Sequence, residues 1–346
     1  MPTENLLSVV DLKKYFPLPK TSLFSLKKRY LKAAEEVAFD IKKGEIFGLV
    51  GESGCGKSTL GRTLLQLYRP TSGQVLYYGR EQPVDLTKIT EKQMRTLRKD
   101  LQIIFQDPYS SLNPRMTVSQ IIGEGAVTHG FFKRNSEELK AYVLDVMKKC
   151  GLQAHMATRY PHEFSGGQRQ RICIARALAL KPKFIVCDEC VSALDVSIQS
   201  QILNLLQELK EKESLTYLFI SHDLSVVRHI SDRIGVMYLG ELVETGDAER
   251  VFKEPRHPYT LALISAVPST EKKPVGEEPI LLEGSMPSAV SPPSGCKFHT
   301  RCFMAQKVCK NEPPPFIEVE EGRRVRCHFA DICAKEKREM AKKSRA

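Results

Sequence analysis

The 346-residue sequence predicts an α/β fold built on a mostly parallel sheet covered on both faces, with a small Cys-rich C-terminal domain behind it. Three observations predict it. A short apolar run, Ile46 to Val50, stops at a glycine-rich loop that opens a segment of helical spacing, Lys57 to Tyr68. Further apolar runs, ending at Gln106, Asp188 and His222, alternate with helical segments, and such alternation places helices on both faces of a parallel sheet. Beyond Pro268 the composition turns to Pro, Gly, Cys and charge, which marks a domain boundary.

Each element has its own signal. A first strand is expected at Leu7 to Leu12 and a second near Glu36 to Ile41, separated by a basic, aromatic-bearing insertion from Pro17 to Lys32. Ile103 and Ile104 open the strand that ends at Gln106, and Asp107 to Pro114 has the composition of a loop. Ser136 stands where it can cap an amphipathic helix running to Lys149. A helix from Gly167 to Leu180 stops before Pro182, and Phe184 to Cys187 is a buried strand terminating in Asp188 and Glu189. A helix from Ser197 to Glu211 follows, then a strand from Leu215 to Ile220 that ends at Ser221 and His222. No internal repeat is found.

Hydrophobic residues at 42% and charged residues at 27% exclude disordered and fibrous classes. No run approaches the roughly 18 to 20 apolar residues that cross a bilayer, and Met1 to Leu12 lacks the pattern of a secretory signal. The expectation is an intracellular chain whose membrane contact is peripheral. A net charge of +11 fits nucleic acid, anionic lipid or a nucleotide enzyme alike and does not choose among them. Of ten cysteines, Cys296, Cys302, Cys309 and Cys327 crowd into the last sixth of the chain, which favours metal over disulfides.

Gly51-Glu52-Ser53-Gly54-Cys55-Gly56-Lys57-Ser58-Thr59 fits the phosphate-loop pattern. Its glycines let backbone amides approach phosphates, Lys57 reaches the β and γ phosphates, and the Ser58 hydroxyl can ligate magnesium. Cys55 is a passive small residue there. Asp188, at the end of a buried strand, is suited to hold magnesium directly or through water, and Glu189 to polarise an attacking water.

In order along the chain stand Phe16 (or Tyr15), the loop at Gly51, Gln106, Ser165-Gly166-Gly167-Gln168, Asp188-Glu189, Ser192-Ala-Leu-Asp195 and His222. This series resembles the full motif set of the ATP-binding cassette (ABC) family. The resemblance implies a RecA-like core, an antiparallel β subdomain and a helical signature subdomain at about residues 107–166. It implies that Phe16 stacks on adenine, that Gln106 senses magnesium and couples to a partner, that Asp195 contacts an opposing cassette, and that His222 contacts the γ-phosphate. Ser165 to Gln168 would serve a nucleotide held by another cassette, while Lys57, Asp188, Glu189 and His222 would await that partner's signature, so the site would work only in a sandwich of two. Arg169 and Arg171 are expected to set helix packing. Cys190 departs from the family pattern, which has proline there; a fixed φ is lost and a backbone donor gained.

The four C-terminal cysteines are separated by five, six and seventeen residues, a spacing that leaves both a four-thiolate iron-sulfur cluster and zinc open. His257-Pro-Tyr-Thr-Leu-Ala-Leu-Ile264 and Pro292-Pro-Ser-Gly-Cys296-Lys-Phe-His-Thr-Arg-Cys302 resemble the tail of oligopeptide and dipeptide importer ATPases. The likeness is best to the second ATPase subunit of such importers. It implies a cassette over residues 1–260 and a C-terminal domain over residues 261–346, with a 4Fe-4S cluster on Cys296, Cys302, Cys309 and Cys327 and Cys333 outside the pattern. The implied partners are a second homologous ATPase, two membrane permeases reached by the surface around Gln106 to Met116, and indirectly an external peptide-binding protein. The implied place is the cytoplasmic face of the membrane. Relatives of the family carry nickel or sugars, so peptide rests on resemblance alone.

Two rival classes fit the sequence less well. Nucleic-acid cassettes carry long insertions between the Gln and signature motifs or two cassettes per chain, whereas 58 residues separate Gln106 from Ser165 and one cassette is present. A regulatory module with a dead site is opposed by the presence of Lys57, Glu189 and His222. The basic stretches Pro17 to Lys32 and Lys335 to Arg345 fit either anionic headgroups or plain solvation.

Overall fold

The computed structural model describes residues 4–19, 28–267 and 279–331. Strands run as β1 (Asn5–Pro17), β2 (Tyr30–Lys42), β3 (Ile46–Val50), β4 (Ser72–Tyr77), β5 (Val84–Asp85), β6 (Leu101–Ile104), β7 (Phe184–Asp188), β8 (Thr216–Ile220), β9 (Arg233–Tyr238), β10 (Glu241–Asp247), β11 (Ile317–Glu320) and β12 (Arg323–Val325). The chain divides into two compact units. One comprises the stretches Met1–Ser8, Asp40–Ile46 and Leu76–Ile220, the other Val9–Phe39, Phe47–Val75 and the remainder from Ser221.

In the first unit β6, β7 and β8 lie parallel, Ile104 facing Cys187 and Asp188 facing Ile220. Every residue of β7 and β8 is buried, as expected of strands covered on both faces, and the carboxylates at 188 and 189 therefore fall at a strand's carboxyl end. The helices Val118–Thr128, Glu137–Lys149 and Gly166–Leu178 pack on one another. The first is started by a capping box between Thr117 and Gln120. The second is capped by Ser136, with Glu137 and Glu138 in its first turn and Lys148 and Lys149 in its last, all complementary to the helix dipole. The helix Val196–Glu213 packs against Gly166–Leu178.

In the second unit β3 is parallel to β9, and β9 turns through Leu239 and Gly240 into antiparallel β10. Both turn residues have positive φ, 42° and 81°, the conformation of a two-residue hairpin. β12 and then β11 extend this sheet, Val325 facing Glu244. Residues of the expected C-terminal domain thus add strands beside β10. Glu244 is fully buried but satisfied: it accepts from Arg323 Nη2 at 2.7 Å and from the backbone N–H groups of Arg256 and His257 at 3.0 and 2.9 Å.

Several elements differ in extent from the sequence reading. β1 and β2 run well beyond Leu12 and start before Glu36, and the helix expected to reach Tyr68 ends at Leu64, where Gln66 turns left-handed with φ 56°. Of the expected insertion, residues 20–27 lie outside the described residues, as do Cys333 and the basic tail.

Candidate functional site

The second unit carries the phosphate loop. β3, buried throughout, delivers the chain to Gly51, and the loop curls so that Lys57, 4% exposed, donates from Nζ to Gly51 O at 2.7 Å and Glu52 O at 3.1 Å. The buried ammonium is thereby held by carbonyls of its own loop. Gly56 precedes the helix Lys57–Leu64 with φ 111°, and a Cβ there would stand 2.0 Å from Ala33 O, so only glycine fits. No side chain caps that helix, which leaves its first amides to the loop, with Ser58 and Thr59 half-buried in its first turn. Ser53 and Gly54 are exposed, and Cys55 is buried with its thiol pushed up by burial.

Near the end of β1, Phe16 is half-buried, edge-on to Tyr68 with ring centroids 5.5 Å apart, and Lys14 Nζ lies 4.6 Å from its ring. Tyr15 differs: its hydroxyl is committed to Glu35, and burial raises its pKa. His222 is exposed just after β8, beside Asp223, which caps the helix Leu224–Ile230 by accepting from Ser225 N at 2.8 Å.

The first unit carries the acidic pair, Gln106 and the signature. Asp188 is 1% exposed at the end of β7. Glu189 follows at φ 49°, a conformation that costs a residue with a side chain roughly 1–3 kcal/mol, and its N–H donates to Ile220 O at 3.0 Å. Gln106 Nε2 donates to Glu189 Oε2 at 3.0 Å, so the glutamine and the acid are brought together. Cys190 is buried and its thiol meets that of Cys187; this hydrogen bond, together with burial, pushes the Cys187 thiol up.

Ser165 caps the helix Gly166–Leu178 through a reciprocal pair with Gln168: Gln168 N donates to Ser165 Oγ at 3.4 Å, and Ser165 N to Gln168 Oε1 at 3.1 Å. Ser165 is exposed and Gly166 half-buried, with the positive end of a 13-residue helix behind them. Gly167 is buried, and a Cβ there would meet Ile198 Cγ2 at 2.4 Å. Arg169 and Arg171 are packing residues: Arg169 donates to the carbonyls of Pro161 and His162 at 2.7 and 3.2 Å, and Arg171 to that of Cys150 at 3.0 Å. Asp195 is exposed at the start of the helix Val196–Glu213 and makes no capping bond; its neighbour Val196 is 80% exposed.

Cys296, Cys302, Cys309 and Cys327 line one small cavity of about 10 Å³ in the second unit, together with His257 and Phe298. No carboxylate lines it. Burial pushes the Cys296 thiol up to about 11 and the Cys327 thiol up to about 12, with the other three cysteines adding to the latter. His257 is fully buried and pushed down to about 3 by burial; its Nδ1 accepts from Tyr259 N at 3.1 Å. Among the described residues no group of three or more His, Cys, Asp or Glu is set to hold a metal ion.

Sequence reasoning missed two contacts of the loop. Tyr259 Oη accepts from Glu52 N at 2.9 Å, and Arg301 pairs with the Glu52 carboxylate. Tyr259 and Arg301 lie in the very peptides that carried the C-terminal resemblance, but only folding brings them to Glu52.

The ABC transporter family matches residues 34–192, and the family described as oligopeptide/dipeptide transporter, C-terminal region, matches residues 243–309. The oligopeptide transport ATP-binding protein AppF of Bacillus subtilis (strain 168) is 52% identical over 328 residues, 94% of this chain and 98% of that one. The oligopeptide transport ATP-binding protein OppF of Escherichia coli (strain K12) is 49% identical over 311 residues, 89% of this chain and 92% of that one. Among solved structures, the ATP-binding cassette MJ0796 in a dimeric post-hydrolysis state with ADP and Pi aligns with a TM-score of 0.61 at 27% identity, covering 70% of this chain and 98% of that one. No helix among the described residues is long and apolar enough to cross a membrane. With a cassette motif series in order and relatives matched over nearly their whole length, the chain belongs to the ABC transporter family.

Proposed function

We propose that this protein is the ATP-hydrolysing subunit that powers import of oligopeptides or dipeptides through a membrane transporter. The observation that carries the chemistry is the hydrogen bond from Gln106 to Glu189 at the carboxyl end of a buried strand, one residue after Asp188. Glu189 takes the proton of the attacking water, and Gln106 holds that carboxylate in place. Lys57, the loop amides and His222 bind and orient the phosphates, and Phe16 packs against the adenine. Magnesium, for which Ser58, Gln106 and Asp188 are the suited ligands, offsets phosphate charge when bound. Ser165 to Gln168 and Asp195 face a partner's nucleotide, so hydrolysis belongs to a pair of cassettes; the partner is a second, homologous ATPase chain.

Residues 1–260 form the cassette, with its RecA-like core, antiparallel β subdomain and helical signature subdomain at about 107–166; residues 261–346 form the Cys-bearing C-terminal region. Cys296, Cys302, Cys309 and Cys327 hold a 4Fe-4S cluster, with zinc the lesser alternative. What supports this is four thiols lining one cavity without a carboxylate. A cluster bound there would join these four cysteines to one another. The subunit sits peripherally at the cytoplasmic face, docked on two permeases by the surface around Gln106 to Met116, and depends on an external peptide receptor for its cargo.

Peptide as cargo is supported by the relatives named above and is tested by uptake. Cells deleted for this chain should lose accumulation of a labelled di- or oligopeptide, a wild-type copy should restore it, and a Lys57→Ala copy should not. Undiminished uptake of both peptide classes in the deletion strain would reject the assignment.

A further inference from the structure

Arg301 lies in the segment between two cavity-lining cysteines, Cys296 and Cys302, and its guanidinium reaches the phosphate loop. Nη1 donates to both carboxylate oxygens of Glu52, at 2.9 and 3.1 Å. The Arg301 side chain is 7% exposed and that of Glu52 29%, so the pair is largely shielded from solvent, where charge-assisted bonds keep their strength. The Tyr238 side chain also meets the guanidinium. Two neighbouring residues of the same segment reach toward the loop by other routes. Lys297 Nζ donates to Leu239 O at 3.1 Å and pairs with Glu241 at 3.0 Å, gripping both sides of Gly240, whose N–H donates to Cys55 O at 2.9 Å. Phe298 packs on Tyr238 and on Tyr259, the residue that accepts from Glu52 N, with centroids 5.2 and 5.3 Å apart. Arg301 thus ends on the loop, Phe298 on a residue bonded to it, and Lys297 on the two neighbours of such a residue.

A carboxylate in a loop that must accept a triphosphate is an electrostatic liability, since like charges at close range oppose binding. Arg301 cancels that charge and ties the second residue of the loop to the cysteine-bearing segment. We propose that Arg301 is a positioning residue for nucleotide binding: by neutralising Glu52 it keeps the phosphate loop anion-accepting, and the Cys296 to Cys302 segment is thereby a working part of the nucleotide site. This rests on the reading of the loop as ATP-binding.

The test uses the full chain, wild type and the variants Arg301→Met, Arg301→Lys, Glu52→Gln and Glu52→Gln/Arg301→Met, titrated with a fluorescent ATP analogue plus magnesium at low and high salt, with thermal unfolding followed in parallel. Arg301→Met should weaken binding about tenfold or more at low salt and less at high salt, because added ions screen the carboxylate left unpaired. Arg301→Lys should fall between, Glu52→Gln should bind at least as well as wild type, and the double variant should recover most of the loss. Wild-type affinity in Arg301→Met, a double variant as weak as Arg301→Met, or a strong loss in Glu52→Gln would each overturn the inference while leaving the loop's assignment intact. If folded wild type binds no nucleotide and Lys57→Ala behaves identically, the ATP reading itself falls, and the inference with it.

Discussion

Gln106 Nε2 donates to Glu189 Oε2 at 3.0 Å, joining residues 83 positions apart at the ends of neighbouring parallel strands. The glutamine carries no charge and cannot take a proton, so its part is to fix the carboxylate. Gln106→Ala should therefore lower turnover by about tenfold or more, as misplacing a base does, with a smaller loss of MgATP affinity from its share in holding magnesium. Steady-state hydrolysis beside a binding titration checks this; equal losses in both would mean that Gln106 serves binding.

Gly167 is set by packing. A Cβ at this position would stand 2.4 Å from Ile198 Cγ2, inside van der Waals contact. Gly167→Ala should cost about 1–3 kcal/mol through overpacking, read from urea unfolding, and Ile198→Ala in the same chain should recover part of it. By contrast a Cβ at Gly166 meets Leu194 at 3.5 Å, an ordinary contact, so Gly166→Ala should leave stability nearly unchanged and any lost hydrolysis there would be functional.

His257 is buried without charge, its pKa pushed down to about 3 by burial. The unfolded chain takes up this proton near pH 6.5 while the folded chain does not, so stability falls as pH drops from 6.5 towards 3. The slope contributed is about 1.4 kcal/mol per pH unit. His257→Asn, which keeps a short acceptor at the helix start, should flatten the difference between unfolding free energies measured at pH 7 and pH 5. An unchanged pH slope would show that His257 is protonated in the fold.

Much of the chemistry was legible because it is local. A phosphate loop, a signature and an acidic strand end are contiguous peptides, and the period of their flanks fixes where they fall. Long-range features were not. Asp11 and Glu36 adopt positive φ, 45° and 49°, inside β1 and β2, which breaks the alternation that would have revealed the strands' length. Glu244, a residue type that favours the surface, is fully buried and paired with Arg323, which arrives from 79 positions away. Arg301 and Glu52 are 249 positions apart and carry no pattern that pairs them. The four cysteines could be grouped by their crowding, but spacing alone did not say that they share one cavity.

That cavity makes a chemical prediction. Protein purified without oxygen should be brown and carry about four iron atoms per chain, the content of a cluster on four thiolates. Cys302→Ser should lose iron and colour while the iron-free chain keeps Cys150 and Cys187 buried and unreactive to thiol reagents, as their burial and raised pKa values require. Zinc in place of iron would replace the cluster with a mononuclear site.

The role of Glu189 as the base is tested by ATP binding and turnover in Glu189→Gln. MgATP binding should match or exceed that of wild type while hydrolysis falls by about two orders of magnitude or more, since the substitution keeps the shape and the hydrogen-bonding side chain but removes the base. Hydrolysis at the wild-type rate in Glu189→Gln would contradict that role.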